Sequence, residues 1–563
     1  MNHYYVIGVG GVGARIMEAI VRLCECGYIS QEEAITCLLI DADTHCGNSR
    51  QTVRLLDHYS QCRRSLNDNN IFKTPLRGFT TRNGETTFAT SPIYEDTLTT
   101  RENIVGRMNR KAYNFMLAAY DEDEYAMNVT DGFYGRPTVG SLIFAWRTGD
   151  GGVISQLISE ITQKTANDGD KVYVFLTGSL FGGTGASGLP TIANAIREQA
   201  TNSDNLFMSA GLMLPYFKYD TTDNPKGEID HNNFAINAQN AINFYKNQME
   251  KGKFNEVCML GDYELLVRGK YATKGSDQLN MPHILELFAA GQVKQFFERA
   301  PQDIVSYRNT KWYADPFELK GNTLSELVWT DYSDGSTLRD VIEKFIRFNY
   351  YYSMYIVPYI FDYEGRGEPF ASQNHAGSQE LPQWFYHGSL ATWKWRWVFG
   401  IPPKNVVECT GKNGDIDQHR ELFENMYEYL TDSAKWYYNL VHKFDSDSKI
   451  CSKCAEATCV ADFAGTLRSC VNSNNTLLPK LFGVVGAEML ARRASLPHWL
   501  NKLTGGRGEK FQVEASNFVQ NIPAGALYAP VSGHPSFDRM EIGSQSAIPD
   551  TYNALVNSIY DLV

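Results

Sequence analysis

Gly182, Gly183, Thr184 and Gly185 stand together in the stretch GSLFGGTGASGLP (178–190), with Phe181 just before them and Gly188 and Pro190 just after. Residues this small at the start of a helix expose backbone N–H groups and the positive end of the helix dipole, so an anion can come close. The chemistry available is the holding of a phosphate. The stretch is not a Walker A loop, because no Gly-Lys-Ser/Thr follows to bring a lysine to the phosphates. Taken alone, it can also be read as a tight turn between a strand and a helix.

Two further loops share this character. VIGVGGVGARI (6–16) carries Gly8, Gly10, Gly11 and Gly13 as GxGGxG, with Val12 inside it and Arg15 just beyond. That arginine could pair with a phosphate or with an acidic residue. GFYGRPTVG (132–140) carries Gly132, Gly135, Arg136, Pro137 and Gly140. Between these two loops, ITCLLIDADT (35–44) ends in Asp41 and Asp43, where a doubly wound sheet places groups for a ribose or a metal.

The flanking sequence supplies elements to position the loops. Tyr4 to Val9 and KVYVFLT (171–177) are apolar, β-rich runs that read as buried strands, and so does 35–44. After the first loop, Ile16, Ala19, Ile20 and Leu23 recur at helical spacing. TIANAIREQ (191–199) reads as a helix with Pro190 in its first turn. Val139 with LIFAW continues into a helix or a strand.

Bulk properties bound the classes. At 563 residues the chain is too long for one core, and two or three domains are expected. A net charge of −12 argues against a nucleic-acid platform, so no direct nucleic-acid partner is expected. No apolar run reaches the roughly 18 residues of a membrane span, and the N-terminus reads as a first strand rather than a signal; a cytoplasmic protein without membrane attachment is expected. The eleven cysteines are scattered, as in a reducing compartment. Cys451 and Cys454 form a CxxC, but Cys459 and Cys470 follow irregularly, so these are read as free or packed thiols and no zinc or other metal site is assigned. His231 and His283 are read as ordinary packing or surface residues. Neither a Ser/His/Asp set nor an HExxH or kinase motif occurs.

The order of these loops resembles the tubulin/FtsZ superfamily. VIGVGGVGARI looks like that family's first loop, LLIDADT like its second, GFYGRPTVG like its third, and SLFGGTGASGLP like its glycine-rich signature loop. SAGLMLPYFKYD (209–220), with Pro215 and Phe217 in register, is similar to the strand and fifth loop near the ribose. NEVCMLGDYELL (255–266) resembles the next strand, with Asp262 near the place of a residue that contacts sugar or base. HILELFAAGQV (283–293) is like the helix whose aromatic residue packs on guanine, here Phe288, with Gln292 where the base is read. The resemblance covers roughly residues 3–295, with an insertion at about 48–130. Phe181 replaces the first glycine of the family's triplet, Gly188 sits one place late, and Arg15 replaces an asparagine.

The resemblance implies an α/β protein. A Rossmann-like parallel-sheet nucleotide-binding domain (1–335) would be followed by a central helix (336–360), an α+β C-terminal domain (361–503) and an arm (504–563). It also implies GTP or GDP as ligand, Mg²⁺ with GTP, and head-to-tail self-association with nucleotide at the subunit interface. GTP hydrolysis would be completed by an acidic loop of the neighbouring subunit. A carboxylate is needed there to orient the attacking water. Two segments are candidates: Asp331 and Asp334 in VWTDYSDGSTLRDVIEKF, and Asp362 and Glu364 in FDYEGRGE; either could instead be a solvated helix cap. WFYHG (384–388) and WKWRW (393–397) are read as aromatic core, with an unidentified protein partner as the alternative. Two other functions compete. The first is an adenylating enzyme resembling the ThiF/E1 family, suggested by GVGGVGARI with DAD, Asn48, Arg50 and Gln51. The second is a nucleotide-binding switch without turnover.

Overall fold

Nearly every residue of the longest strands is buried, with apolar runs at their centres, and such strands are stable only when both faces are covered, as in a parallel α/β sheet. The computed structural model has this arrangement. It describes residues 1–313 apart from 44–45, 67–69, 95–96, 98, 105–109, 131, 134, 221–230, 250–251, 263–264 and 271–277, and individual residues within 338–352, 422–440 and 556–560.

The chain opens with β1 (Asn2–Val9), α1 (Gly10–Glu25), β2 (Ile35–Ile40), α2 (Gly47–Arg64) and β3 (Leu76–Thr80). Short pieces follow: β4 (Thr86–Thr87), β5 (Ala89–Thr90), α3 (Thr100–Ile104), α4 (Arg110–Ala119) and α5 (Glu122–Ala126). Next come α6 (Pro137–Arg147), α7 (Val153–Lys164), β6 (Lys171–Ser179), α8 (Gly183–Gln199), β7 (Leu206–Met213) and β8 (Phe217–Asp220). The remainder is α9 (His231–Met249), β9 (Glu256–Leu260), β10 (Leu266–Lys270), α10 (Ile284–Phe297) and β11 (Lys311–Tyr313).

The main sheet runs β11-β9-β7-β6-β1-β2-β3-β4, with β5 beside β2, and every pairing in it is parallel except β3 with β4. β1 lies between β2 and β6, with Val9 opposite both Ile40 and Gly178. The chain therefore winds outward one way from β1 and the other way from β6, and their carboxyl ends border the switch point where doubly wound sheets bind ligands. Side chains of β1 alternate between two cores: Tyr4 and Val6 join one, and Tyr5, Ile7 and Val9 the other. The first core holds α1, α2 and α10, and the second holds α6, α7 and α8.

The elements differ in detail from the sequence reading. α8 already begins at Gly183, so Pro190, expected in the first turn, lies inside the helix. The strand expected over 35–44 stops at Ile40, leaving Asp41 and Asp43 just past its end. Within the segment read as an insertion, β3 extends the sheet beside β2 and α2 packs into the first core. Within the first core, Leu338, Ile342, Phe345, Phe348 and Tyr352 are buried at helical spacing, together with Tyr429, Leu430, Trp436 and Tyr560. Among the described residues no helix is long and apolar enough to cross a membrane.

Candidate functional site

The glycine loops meet at the switch point. Gly10 has φ +73°, a left-handed backbone that glycine adopts without strain, and a methyl group there would lie 3.2 Å from Thr184 Cβ and 3.3 Å from the Gly185 nitrogen. A methyl on Gly183 would lie 3.2 Å from the Gly135 nitrogen and 2.7 Å from Phe133 Cβ. One on Gly11 would be 4.0 Å from Cys46 Sγ, at the start of α2. Loops 8–13, 132–137 and 181–185 and the start of α2 therefore line one crevice. Gly13 makes this possible from below: a methyl there would stand 2.9 Å from the Thr177 carbonyl oxygen and 2.8 Å from the Gly8 carbonyl carbon, so only glycine lets α1 approach β1 and β6 so closely.

Four helices start here, and their first turns share a property. α1, α2, α6 and α8 carry no acidic residue in the first turn, and none has a side chain capping its backbone. Elsewhere the pattern is mixed: α5 and α10 have complete capping boxes, Asp121 with Glu124 and His283 with Glu286, while α7 has neither a side-chain cap nor a first-turn acid. At α2 the Asn48 N–H already donates to the Gln278 carbonyl at 3.1 Å; the other uncapped N–H groups need a partner, and four positive dipole ends favour an anion. Gly11, Gly182, Thr184 and Gly135 are half-buried, and Arg136 is exposed at the cap of α6. Pro137 is the first residue of α6, where its missing N–H costs nothing. The donor set present, backbone amides with a threonine hydroxyl, fits a polyphosphate.

Carboxylates flank the crevice. Asp41 is buried; Ser49 Oγ donates to it at 2.7 Å, and the Asp43 N–H at 3.4 Å. Burial pushes its carboxyl up to about 7, against the Ser49 hydrogen bond. Asp43 is half-buried beside it. Val12 is buried in the first core.

Arg15 takes the acidic option. Its Nε donates to Glu286 Oε1 at 2.5 Å, Nη2 to Glu286 Oε2 at 2.8 Å and to the Met281 carbonyl, and Nη1 to the Asn280 carbonyl at 2.5 Å. Burial acts against its charge, but Glu286 more than offsets this and the guanidinium is held above its ordinary range. Tyr216 donates a third hydrogen bond to Glu286, at 2.5 Å. His283 accepts from Leu285 N–H at the start of α10, and burial, with Arg268 and Arg15 nearby, holds it well below its ordinary value and neutral. Arg15 thus ties α1 to α10 and to the 280–281 backbone.

The residues proposed for sugar and base divide. Pro215 accepts from the Asp262 N–H at 3.1 Å, which joins the fifth loop to the end of β9, and Asp262 is exposed. Phe181 is buried with its ring 6.3 Å from Tyr216 and 5.0 Å from Phe234, so the residue that breaks the glycine triplet anchors the fourth loop in an aromatic cluster. Phe288 is buried in the first core, and Gln292 is half-buried one turn along. Asp331, Asp334, Asp362, Glu364 and the CxxC cysteines lie outside the described residues. Sequence reasoning missed Cys46, Ser49, Glu286 and Asn237. Only Glu286 had left a signal, three residues after a possible cap at His283.

No family model and no curated protein matches the chain. Among solved structures it is similar to CetZ from Methanosaeta thermophila strain DSM 6194, at 13% identity and a TM-score of 0.26, over 52% of each chain. It is also similar to CetZ2 from Haloferax volcanii, solved as a GTPγS-bound protofilament, at 11% identity and a TM-score of 0.26, over 52% of this chain and 57% of that one. A third is a variant of FtsZ from M. jannaschii, at 15% identity and a TM-score of 0.23, over 52% and 53%. The chain thus spans about half the length of the solved structures it matches. The likeness is one of fold alone.

Proposed function

We propose that the chain binds a guanine nucleotide in the crevice at the carboxyl ends of β1 and β6, and that copies associate head to tail with the nucleotide between them. One observation supports this most: Gly10, Thr184 and Gly185 touch, and Gly183 touches the third loop, beneath four helix N-termini with neither caps nor acids. The amides of 10–12 and 182–185 hold the phosphates, with the Thr184 hydroxyl as a further donor. Asp41 and Asp43 are this reading's candidates for meeting the ribose or a Mg²⁺ carried with GTP, and Pro215 and Asp262 its candidates for the sugar. An adenylating enzyme would leave 182–185 without a role, yet these residues are in contact with the first loop. Guanine, slow hydrolysis on assembly and the head-to-tail contact come from the resemblance of the loop sequences, and the acids Asp331, Asp334, Asp362 and Glu364 are its candidates for hydrolysis in the next subunit.

Denaturing the purified protein and chromatographing what is released tests the ligand. GDP or GTP in near-equal amount to protein is expected. An adenine nucleotide released in that amount points to the adenylating alternative. Absence of any nucleotide, with no binding of added GTP, overturns the proposal. Pelleting and electron microscopy with GTP and with GDP test association.

A further inference from the structure

The third and fourth loops touch, but among the described residues their backbones exchange no hydrogen bond. A side chain from elsewhere joins them. Asn237, half-buried on α9, donates from Nδ2 to the Gly135 carbonyl at 3.2 Å and to the Phe181 carbonyl at 3.4 Å. Both partners are acceptors, so the amide nitrogen must face them. One turn earlier on α9, the Phe234 ring packs against the Phe181 ring. α9 therefore holds residue 181 by its ring and by its backbone.

We propose that Asn237 is a positioning residue for the phosphate cradle, aiming the amides of the fourth loop by fixing the carbonyl behind them; this rests on the nucleotide reading above. The reason is peptide geometry. The peptide unit is planar and trans, so its C=O and N–H point in opposite directions. Drawing the Phe181 carbonyl toward α9 turns the Gly182 N–H away from α9, at the start of α8. Residue 182 has no side chain to hold that orientation itself. The second bond, to Gly135, sets the distance between the two loops. Asparagine supplies two N–H donors on one nitrogen, one for each carbonyl, and an aspartate of the same size supplies none.

The experiment compares the full chain with Asn237→Asp and Asn237→Ala, using GDP and inorganic pyrophosphate as probes. Binding of each probe and the ligand-free melting temperature are measured, together with hydrogen exchange over 133–136 and 181–185. Asn237→Asp is expected to melt like the wild type, to bind both probes about tenfold more weakly, and to exchange faster at 182–185. An equal loss for both probes locates the effect at the phosphates rather than at sugar or base. Wild-type affinity in a normally melting Asn237→Asp overturns the proposal. Asn237→Ala makes the same comparison without an added negative charge, and a loss confined to Asn237→Asp marks charge repulsion and overturns the proposal. If the wild type itself binds neither probe, the nucleotide reading has failed separately, and exchange in the ligand-free protein still decides: unchanged rates at 181–185 in both variants overturn the positioning role.

Discussion

At the scale of single residues, glycines and buried charges carry the sharpest consequences. Gly10→Ala places a methyl against Thr184 in a backbone conformation that alanine adopts only with strain. It is expected to cost about 1–2 kcal/mol of stability and to weaken nucleotide binding more than tenfold, as read by thermal melts and titration. Glu18 gives a pH effect. It is buried on α1, accepts from Gln51 Nε2 at 2.9 Å, and is pushed by burial from an ordinary 4.5 up to about 7, against Arg22 and Arg15. The folded chain then binds more protons than the unfolded one between these values, so this contribution to stability falls as pH rises through that window and is constant above it. Glu18→Gln is therefore expected to exceed the wild type by about 2 kcal/mol at pH 8, with the gap closing near pH 4.5. Equal melting of the two proteins at pH 8 counts against it. Legibility follows the same division. Gly10, Gly13 and Gly183 were visible in the sequence because backbone close approach demands one residue type. Arg15 was visible only as a charge, since its partner Glu286 stands far along the chain and nothing local says that the two meet.

At the scale of elements, α1 does two tasks with its two ends. Its first turn lines the crevice, while Arg15, Glu18, Arg22 and Glu25 form a buried row of alternating charge along one side. At the far end, Arg22 Nη1 donates to Glu25 at 3.0 Å and Nη2 to Asp432 at 2.9 Å. Tyr429 and Ser433 donate to Glu25 at 2.6 and 2.5 Å. Helical periodicity alone would put this row in water, because charges opposite an apolar stripe ordinarily face solvent. What buries its far end is chain from some four hundred residues later, while Arg15 is covered by 280–286, contacts that only tertiary structure creates. Glu25→Ala removes the acceptor of three hydrogen bonds and leaves Arg22 with a smaller share of compensation. A loss of about 3–5 kcal/mol is expected, read as a lower denaturation midpoint together with earlier proteolysis within 422–440. If those two changes do not appear together, α1 does not anchor that segment.

At the scale of the whole molecule, a crevice lined by backbone amides explains holding a nucleotide better than it explains cleaving one. The described residues around 182–185 supply donors and the flanking Asp41 and Asp43, while the acids proposed for hydrolysis were chosen for a neighbour's pocket. If each active site is shared, two different defects must complement one another. Thr184→Val with Gly185→Val spoils a copy's own cradle but leaves its acids intact. Asp331→Asn with Asp334→Asn, or Asp362→Asn with Glu364→Gln, does the reverse. The cradle variant and the variant of the true acids are each expected to turn over GTP no faster than background, while changing the other acidic segment leaves turnover near wild type. In an equal mixture, an intact cradle meets intact acids at about a quarter of random head-to-tail junctions, so activity returns to about that fraction of the wild-type rate. The segment whose change abolishes turnover on its own holds the true acids, and only its mixture with the cradle variant tests sharing between copies. A site complete within one copy predicts a different result: the mixture stays as inactive as its parts, and wild-type turnover per molecule does not rise with protein concentration.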